Sequence, residues 1–379
     1  DRIYLDYAAS APLAPEAKKI IENYLRSQPI GNPSSLHAEG REARALLDRA
    51  HTTIAAVFGV HPTEVILTSG ATESNMLAIE GTLRAWRRDH DEPPHIVLSA
   101  IEHPSWRNTA LAQNVEVTLV PVSKDGIVSA GEMLKAIRPN TALVGCLYAN
   151  NEIGSVQSVA EIGKGIEAKR KNGFPVFHVD AVQAFPYLNT HFGHLRADTA
   201  TFSGHKYGGL AGTGILVVKA RTPLEGIIKG GSQEWGFRAG TENILGAMTT
   251  AEMIDWNDGH REELIKQVER LQTTLESRLA KDLPQVSVLC QNVARVPHIA
   301  YIWLPAQFDE TVVHKLDLAG VAVSSGSACS SGALLPSSTL LALGYSDQEA
   351  FGGIRVSYGR FTTELEIEEF VARLAKIIG

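Results

Sequence analysis

The sequence predicts an α/β protein in which a large unit with a mostly parallel sheet is followed by a smaller α+β unit. From residue 65 to residue 218, short apolar runs rich in β-branched side chains alternate with segments whose apolar residues recur at helical spacing. Such short buried runs are typical of parallel strands that helices cover on both faces. After residue 280 the alternation becomes irregular. We therefore assign residues 14–256 to the large unit and residues 1–13 and 257–379 to the small one.

The composition limits the kinds of function. Of the 379 residues 44% are hydrophobic and 20% charged, and the net charge of −7 includes no block of like charges, which argues against nucleic acid or an acidic membrane surface as a partner. No apolar run reaches the length of a membrane span, and the N-terminal residues do not form the apolar h-region of a signal peptide. Its three scattered cysteines indicate neither a disulfide framework nor a metal site. We expect a cytoplasmic protein; a removed organelle leader stays open, since the first residue is not methionine.

The individual elements follow from their flanking residues. A short strand at the N-terminus enters a loop of small residues, Pro15 opens a helix that runs to about residue 25, and residues 31–35 form a loop. An amphipathic helix is expected over residues 39–58. The large unit then has strands at 65–68, 96–98, 115–120, 142–148, 176–179, 199–203 and 213–218, and helices at 72–88, 104–112, 129–137 and 158–171. A long helical stretch at 243–280 precedes the small unit, which has strands near 286–290, 298–304, 321–323 and 354–358 and helices at 309–318 and 364–378.

A carboxylate and a lysine at the ends of two predicted strands are the first candidate functional pair. Asp180 ends one strand, and Lys206 follows another in the run Ser-Gly-His-Lys. Open α/β sheets place ligand-binding groups at the carboxyl ends of their strands. The pair suits pyridoxal phosphate, because a lysine forms its Schiff base and a carboxylate keeps a proton on its pyridine nitrogen. The alternative is a strand-end aspartate with an unrelated surface lysine.

Residues 68–73, Thr-Ser-Gly-Ala-Thr-Glu, join a strand to a helix through a glycine turn. The N–H groups of Ala71 and Thr72 and the hydroxyl of Thr72 would face an anion at the positive end of that helix. Ordinary helix capping explains the same residue types. A phosphate site gains weight because Ser203 and His205 stand next to the proposed Schiff-base lysine and can hold the same phosphate.

Three further polar side chains follow strands. His103 lies between a strand and a helix, where an imidazole can stack on a pyridine ring and exchange protons near neutral pH. Asn151 follows another strand, and Gln183 follows Asp180; either amide can bind the phenolic oxygen of the cofactor. A capping histidine and ordinary turn chemistry for the asparagine are the alternatives.

Cys329 lies in a run of small residues that predicts a flexible loop at about residues 324–336. Free cysteines are normally buried, and Cys146 and Cys290, which lie in or at the end of apolar strands, fit that rule. A loop cysteine with an accessible thiolate is a candidate nucleophile. A spare surface thiol is the alternative.

Together these motifs resemble the cysteine desulfurases, which are fold-type-I pyridoxal phosphate enzymes related to the class V aminotransferases. The similarity runs from Tyr4 to the C-terminal helix, and the cysteine run is similar to that of the long-loop group, which serves iron–sulfur assembly and the thiolation of RNA or DNA. The resemblance rests on six motifs in order: Thr-Ser-Gly-Ala-Thr-Glu at 68–73, Asn-Asn-Glu-Ile-Gly at 150–154, His-Val-Asp-Ala-Val-Gln at 178–183, Phe-Ser-Gly-His-Lys at 202–206, Arg-Ala-Gly-Thr-Glu-Asn at 238–243 and Ser-Ser-Gly-Ser-Ala-Cys at 324–329.

The resemblance implies a role for each site residue. Thr241 would reach the phosphate bound by a partner subunit, which implies a homodimer with shared sites. Arg355 would clamp the substrate carboxylate, a task that suits a bidentate guanidinium; an ordinary strand arginine is the alternative. The other implied roles are the Schiff base for Lys206, the pyridine nitrogen for Asp180, ring stacking for His103, the phenolic oxygen for Gln183 and Asn151 with Asn151 also near the substrate, the phosphate for Ala71, Thr72, Ser203 and His205, and attack on the substrate sulfur for Cys329.

The sequence departs from the family pattern at two places, which bear on the active-site entrance, the subunit contact and the sulfur-acceptor protein. The family often has Gly-Gly-Gly-Gln-Glu-Arg-Gly where residues 230–236 read Gly-Gly-Ser-Gln-Glu-Trp-Gly, so we expect Trp235 and Phe237 to alter the active-site entrance or the subunit contact. The chain stops at Gly379 without the C-terminal extension by which some members dock scaffold proteins, so the sequence leaves the sulfur-acceptor protein unidentified.

The implied function is the conversion of L-cysteine to L-alanine, with the sulfur held as a persulfide on Cys329 for transfer to an acceptor protein. One alternative is a pyridoxal phosphate-dependent aminotransferase, or a cysteine or selenocysteine lyase, that forms no persulfide. Another is a non-catalytic scaffold that keeps the fold, although the presence of Lys206, Asp180, His103 and Cys329 argues against it. Direct binding of nucleic acid or membrane and a metal site are not expected.

Overall fold

The computed structural model describes residues 2–27, 30–305, 311–325 and 336–379. The strands are β1 (Ile3–Tyr4), β2 (Val65–Thr68), β3 (His95–Ser99), β4 (Glu116–Val120), β5 (Thr141–Leu147), β6 (Val176–Asp180), β7 (Thr199–Ser203), β8 (Gly214–Val218), β9 (Ser287–Val288), β10 (Ile299–Trp303), β11 (Val321–Ala322), β12 (Ser324–Ser325) and β13 (Ile354–Ser357). The helices are α1 (Pro15–Arg26), α2 (Ala38–Phe58), α3 (Ala71–Asp89), α4 (Pro104–Leu111), α5 (Ala130–Lys135), α6 (Val159–Lys169), α7 (Phe192–Leu195), α8 (Ile244–Gly259), α9 (Arg261–Asp282), α10 (Thr311–Leu318), α11 (Ser338–Ala342) and α12 (Glu364–Ile378).

The larger sheet has the strand order β2-β8-β7-β6-β5-β3-β4 within the described residues. Strands β4, β3, β5, β6 and β7 run parallel to one another, while β8 is antiparallel to both of its neighbours, β7 and β2. The carboxyl ends of the parallel strands therefore share one edge of the sheet. The last residue of β6, Asp180, and the turn after β7, which holds Lys206, both lie at that edge.

Helices cover this sheet on both faces, which explains why its central strands are fully buried. On one face Phe58 of α2 stacks on Phe202 of β7, with ring centroids 4.1 Å apart. On the other face the indole of Trp106 lies against β5 at Gly145, where a Cβ would stand only 2.3 Å from the ring. A side chain at Gly145 would displace the indole, so this glycine allows α4 to pack closely on the sheet.

In the described part of the smaller unit, an antiparallel sheet has the strand order β12-β13-β10-β9. The N-terminal strand β1 pairs in parallel with β11 of this unit. Ile3 and Leu5 share a buried apolar cluster with residues of α9, α10 and α12. The N-terminal strand therefore packs with elements of the C-terminal part of the chain, while the division of the chain into residues 14–256 and residues 1–13 with 257–379 stays a prediction.

Two predicted segments differ from the structure. The helical stretch at 243–280 is two helices, because the backbone leaves helical geometry at His260 (φ −111°, ψ 14°), between the largely buried α8 and the amphipathic α9. Ser324 and Ser325, predicted as part of the glycine and serine loop, pair with β13 instead. Serine has little strand propensity, so this pairing depends on the neighbouring strand. No helix in the described ranges is both long and apolar enough to cross a bilayer.

Candidate active site

A cavity of about 670 Å³ opens at the carboxyl edge of the larger sheet, beside the first turn of α3. Thr241 lies instead in a neighbouring cavity of about 200 Å³. Cys329 lies outside the described residues. The other predicted site residues line the main cavity: Ala71, Thr72, His103, Asn151, Asp180, Gln183, Ser203, His205, Lys206 and Arg355.

Asp180 is held by neutral hydrogen-bond donors at the end of β6. Its Oδ1 accepts from the backbone N–H of Val182 at 3.1 Å, and its Oδ2 accepts from Nδ2 of Asn75 at 3.0 Å. Burial lowers the pKa of His178 to about 3, so His178 is neutral at pH 7; its Nε2 lies 3.1 Å from Oδ1 of Asn75 and donates to that oxygen. This chain of bonds fixes the Asn75 amide and, through it, the carboxylate. The carboxylate lines the cavity.

His103 presents a neutral imidazole to the same cavity. It caps α4, and its Nδ1 accepts from the Ser105 N–H at 3.1 Å. Burial lowers the pKa of His103, the Asp180 carboxylate acts in the opposite direction, and the positive charges of Lys206 and Arg355 lower it further. Because Nδ1 is an acceptor, the ring proton lies on Nε2.

Glu102 fixes the turn that places His103. Its Oε1 accepts from the backbone N–H of Leu147 at 2.9 Å and from the Ser99 hydroxyl, which joins the ends of β3 and β5. The side chain is only 2% exposed. Burial raises the pKa of Glu102 to about 8, and the nearby Asp180 carboxylate adds to the effect. The group is therefore mainly protonated in the folded protein at pH 7.

Replacing Glu102 with glutamine should remove a pH dependence of stability. The pKa of Glu102 rises from an ordinary value near 4.5 to about 8 on folding, so the folded protein binds this proton more tightly than the unfolded chain. The free energy of unfolding should fall as pH rises from 4.5 through 8, by a few kcal/mol at about 1.4 kcal/mol per pKa unit. Urea unfolding of the wild-type protein and of Glu102→Gln at pH 5 and pH 8 measures this change in the free energy of unfolding.

The isosteric amide stays uncharged, so the Glu102→Gln variant should lose less stability than wild type between these two pH values. Glu263→Gln, an exposed change on α9, is the matched control and should follow wild type. Identical pH profiles for wild type and the Glu102 variant would contradict the raised pKa.

Lys206 reaches back to the N-terminal segment. Its Nζ donates to the carbonyl oxygens of Ala8 at 2.7 Å and Ala9 at 2.8 Å. The adjacent His205 has its pKa lowered to about 4 by burial and then by the charge of Lys206, so its imidazole is neutral at pH 7. The lysine amine thus lies in the cavity, held by backbone oxygens, close to the strand end that carries Asp180.

The first turn of α3 forms another part of the cavity wall. The N–H groups of a helix's first turn have no partners within the helix and favour an anion. The carboxylate of Glu73 accepts from the N–H of Ser69 at 2.9 Å and from its hydroxyl, and also from Nε of Arg238 at 2.9 Å. A Cβ built on Gly70 or Gly212 would meet nothing within 4 Å. The first turn of α3 therefore offers backbone N–H donors next to the open space at Gly70 and Gly212.

Arg355 approaches the cavity from β13 of the smaller unit. Its guanidinium donates to Oδ1 of Asp6 at 2.9 Å and to the backbone carbonyl of Asn151 at 3.0 Å. Its Nε is buried and has no hydrogen-bond partner among the described residues. Ser324 donates to the other oxygen of Asp6 at 2.9 Å. The arrangement fixes the orientation of a cation that lines the cavity.

The chain matches the family model described as aminotransferase class-V over residues 3–370. The chain belongs to this family. It is 34% identical over 379 residues to the cysteine desulfurase IscS of Dictyoglomus turgidum (strain DSM 6724 / Z-1310), which covers 99% of this chain and 94% of that protein. The NifS-like protein from Rickettsia africae ESF-5 is 30% identical with a TM-score of 0.89, covering 100% of this chain and 99% of that one. SspA, whose structure is in complex with cysteine, is 29% identical with a TM-score of 0.81, covering 95% and 100%.

These comparisons confirm the predicted fold class and the predicted resemblance to cysteine desulfurases of the class-V aminotransferase family. Pyridoxal phosphate is the cofactor of this family in general. The roles of individual residues are not settled by similarity and stay predictions.

The cavity also contains groups that the sequence reasoning missed. Asp6 and the carbonyl groups of Ala8 and Ala9 come from the N-terminal segment, and Asn75 contacts Asp180 from α3. Asn75 follows Thr72 by three positions, which places both on one face of a helix, so that spacing was an available signal. Backbone carbonyls carry no sequence signal.

Residues 230–237, which include the predicted departures Trp235 and Phe237, contact α2 through Glu234 and Trp235. Glu234 accepts from the backbone N–H of Leu67 at 2.8 Å, and its carboxylate lies 3.0 Å from Nε2 of the buried His51. Trp235 packs edge-on against His51 with ring centroids 5.8 Å apart, and both Glu234 (φ 45°) and Trp235 (φ 58°) have left-handed backbones. Trp235 does not line the main cavity. An effect of Trp235 on the subunit contact stays a prediction.

Proposed function

We propose that this chain converts L-cysteine to L-alanine and holds the sulfur as a persulfide on Cys329. The observation that carries the proposal is the placement of Lys206, Asp180, His103 and Arg355 around one cavity. In support, full-length relatives at more than 30% identity are named cysteine desulfurases, and SspA, which is similar over 95% of this chain, is known in complex with cysteine.

The groups that line the cavity fit pyridoxal 5′-phosphate. The open space at Gly70 and Gly212, beside the first turn of α3, suits a phosphate, with Ala71, Thr72, Ser203 and His205 as its partners. Asp180, fixed by Asn75 and Val182, suits the pyridine nitrogen. His103 would lie on the ring face, and Gln183 and Asn151 near the phenolic oxygen. When bound, the cofactor withdraws electrons from the α-carbon of the amino acid.

The protein's own residues then handle binding and proton transfer. Arg355 lines the cavity and would bind the substrate carboxylate, while Asp6 and the Asn151 carbonyl hold its guanidinium in place. The amine of Lys206 holds the cofactor in the resting protein and later takes the proton from the α-carbon of cysteine. Asn151 also lines the substrate side of the cavity.

Sulfur transfer follows from the thiolate of Cys329. The thiolate attacks the sulfur of cysteine, so an S–S bond forms while the C–S bond breaks. The electron pair of the C–S bond stays with the three-carbon unit, which takes up a proton and leaves as alanine. The persulfide then passes its outer sulfur to an acceptor protein, in iron–sulfur assembly or in thiolation of RNA or DNA.

We further propose a cytoplasmic homodimer. Thr241 lies outside its own main cavity, in the neighbouring one that shares Ser69 and Gly212 with it. This placement leaves Thr241 available to the phosphate of a partner subunit. The smaller unit would carry the cysteine loop at about residues 324–336.

Incubation with L-cysteine tests the proposal against an aminotransferase or a lyase that forms no persulfide. We expect alanine to form, and the Cys329 peptide, isolated without reductant, to gain the mass of one sulfur atom. The peptide that carries Cys146, a buried thiol, is the internal control and should not gain mass. Alanine formation with an unmodified Cys329 peptide would favour a lyase, and the absence of both products would reject desulfurase activity.

A further inference from the structure

We propose that His298 is a positioning residue that fixes the side-chain amide of Gln183, so that this amide presents an N–H group to the cavity. The inference rests on the proposed cofactor site. His298 lies just before β10 in the smaller unit, whereas Gln183 follows β6 in the larger one.

Hydrogen bonds on both sides determine the orientation of the Gln183 amide. Its Nε2 lies 2.9 Å from the carbonyl oxygen of Ala8, and its Oε1 lies 3.3 Å from Nε2 of His298. A carbonyl only accepts, so the Gln183 nitrogen must face Ala8 and its oxygen must face His298. His298 therefore donates from Nε2. Because the same Ala8 oxygen accepts from Lys206 at 2.7 Å, the chain of bonds ends at the candidate catalytic amine.

The surroundings of His298 fix its ring and its charge. The side chain is 4% exposed and stacks on Tyr187, with ring centroids 4.0 Å apart and planes 20° apart. Burial, followed by the positive charge of Arg355, lowers the pKa of His298 to about 3. The ring is neutral at pH 7 and carries one N–H. Its Nδ1 has no partner among the described residues, which is consistent with a proton on Nε2.

This orientation has a chemical consequence for Gln183. An amide nitrogen carries two hydrogens; one binds the Ala8 carbonyl, and the other remains for the cavity that Gln183 lines. A donor at this position stabilises negative charge on the phenolic oxygen of the cofactor. In the opposite orientation, the amide oxygen of Gln183 would face the carbonyl oxygen of Ala8 and the phenolic oxygen of the cofactor. Both contacts would be repulsive. His298 thus opposes the unproductive orientation.

The tautomer can be tested in the protein without cofactor. In the cofactor-free chain labelled with ¹⁵N-histidine, nuclear magnetic resonance should show His298 as a neutral ring protonated at Nε2 at pH 6 and above. His298→Phe identifies the signal and keeps a flat ring to stack on Tyr187. A ring protonated at Nδ1, or a charged ring at pH 6, would overturn the inference whatever the enzyme does.

The link to the cofactor is tested by a double-mutant cycle with Gln183→Leu. In the wild-type background, His298→Phe should weaken binding of pyridoxal phosphate, followed by protein fluorescence, about five- to tenfold, as expected for one hydrogen bond. It should also move the pH titration of the bound cofactor's absorbance upward by about half to one unit. In the Gln183→Leu background His298→Phe should change neither quantity.

Equal effects of His298→Phe in both backgrounds, or no effect in the wild-type one, would overturn the inference. Comparable thermal unfolding midpoints of the variants exclude a general loss of folding. If wild-type protein binds no pyridoxal phosphate, the proposed function fails, whereas the resonance experiment still decides the tautomer of His298.

Discussion

Replacing Lys206 with alanine should abolish both the absorbance of a lysine-bound cofactor and the formation of alanine from L-cysteine. The Lys206 amine lines the cavity and is held there by the carbonyls of Ala8 and Ala9. Among the described residues that line this cavity, no other lysine is present to replace it. We expect turnover to fall by at least about a thousandfold, as for removal of a nucleophile that also acts as a base.

The measurement is the visible spectrum with added pyridoxal phosphate together with alanine release. Lys164→Ala, an exposed change on α6, is the matched control and should leave both unchanged. Lys206→Ala removes one cation from a cavity edge and no apolar packing, so its unfolding midpoint should stay close to that of wild type. Turnover retained by this variant would remove Lys206 from the proposed role.

The site residues that could be predicted from the sequence are those whose positions depend on a local sequence pattern. Asp180 and Lys206 follow apolar strands of a parallel sheet, and the carboxyl ends of such strands must meet at one edge. The glycine turn before α3 is also a local signal, because the turn glycine, the capping residues and the start of the helix all occur within residues 68–73. The strand and helix bounds agree for the same reason, to within two residues for β2, β6, β7 and α12.

The parts that sequence reasoning missed depend on contacts between distant segments. Asp6 meets Arg355 and His298 meets Gln183 across separations of more than a hundred residues. Neither pair has a periodicity or spacing that a single sequence reveals. The break of the long helical stretch at His260, in contrast, has a local signal that the prediction overlooked, because residues 257–263 contain no apolar side chain and include Gly259.

The distribution of contacts around Arg355 also explains why the smaller unit matters to the chemistry. The guanidinium comes from β13, but Asp6 comes from the segment after β1 and the Asn151 carbonyl from the end of the larger sheet. Because β1 pairs with β11, the N-terminal segment ties Arg355 to the same unit that would carry the cysteine loop. If Arg355 and the cysteine loop have the proposed roles, substrate orientation and sulfur transfer would both depend on how the smaller unit packs on the larger one.

Replacing Cys329 with alanine should leave cofactor binding intact and abolish sulfide release from L-cysteine in the presence of a thiol reductant. The variant keeps every described residue of the cavity, including Lys206, Asp180 and Arg355, so the lysine-bound absorbance should match that of wild type. Without a thiolate to attack the substrate sulfur, the C–S bond is not cleaved, and sulfide release should fall by at least about a hundredfold.

The matched control for Cys329→Ala is Cys290→Ser. Cys290 is 7% exposed, and burial raises the pKa of its thiol to about 12, so it is almost entirely protonated at pH 7 and cannot act as the nucleophile. Burial likewise raises the pKa of the Cys146 thiol, which lies inside β5. Because both of these thiols are buried and protonated, neither competes with the role proposed for Cys329. Full sulfide release by Cys329→Ala would therefore mean that substrate sulfur leaves without a protein persulfide.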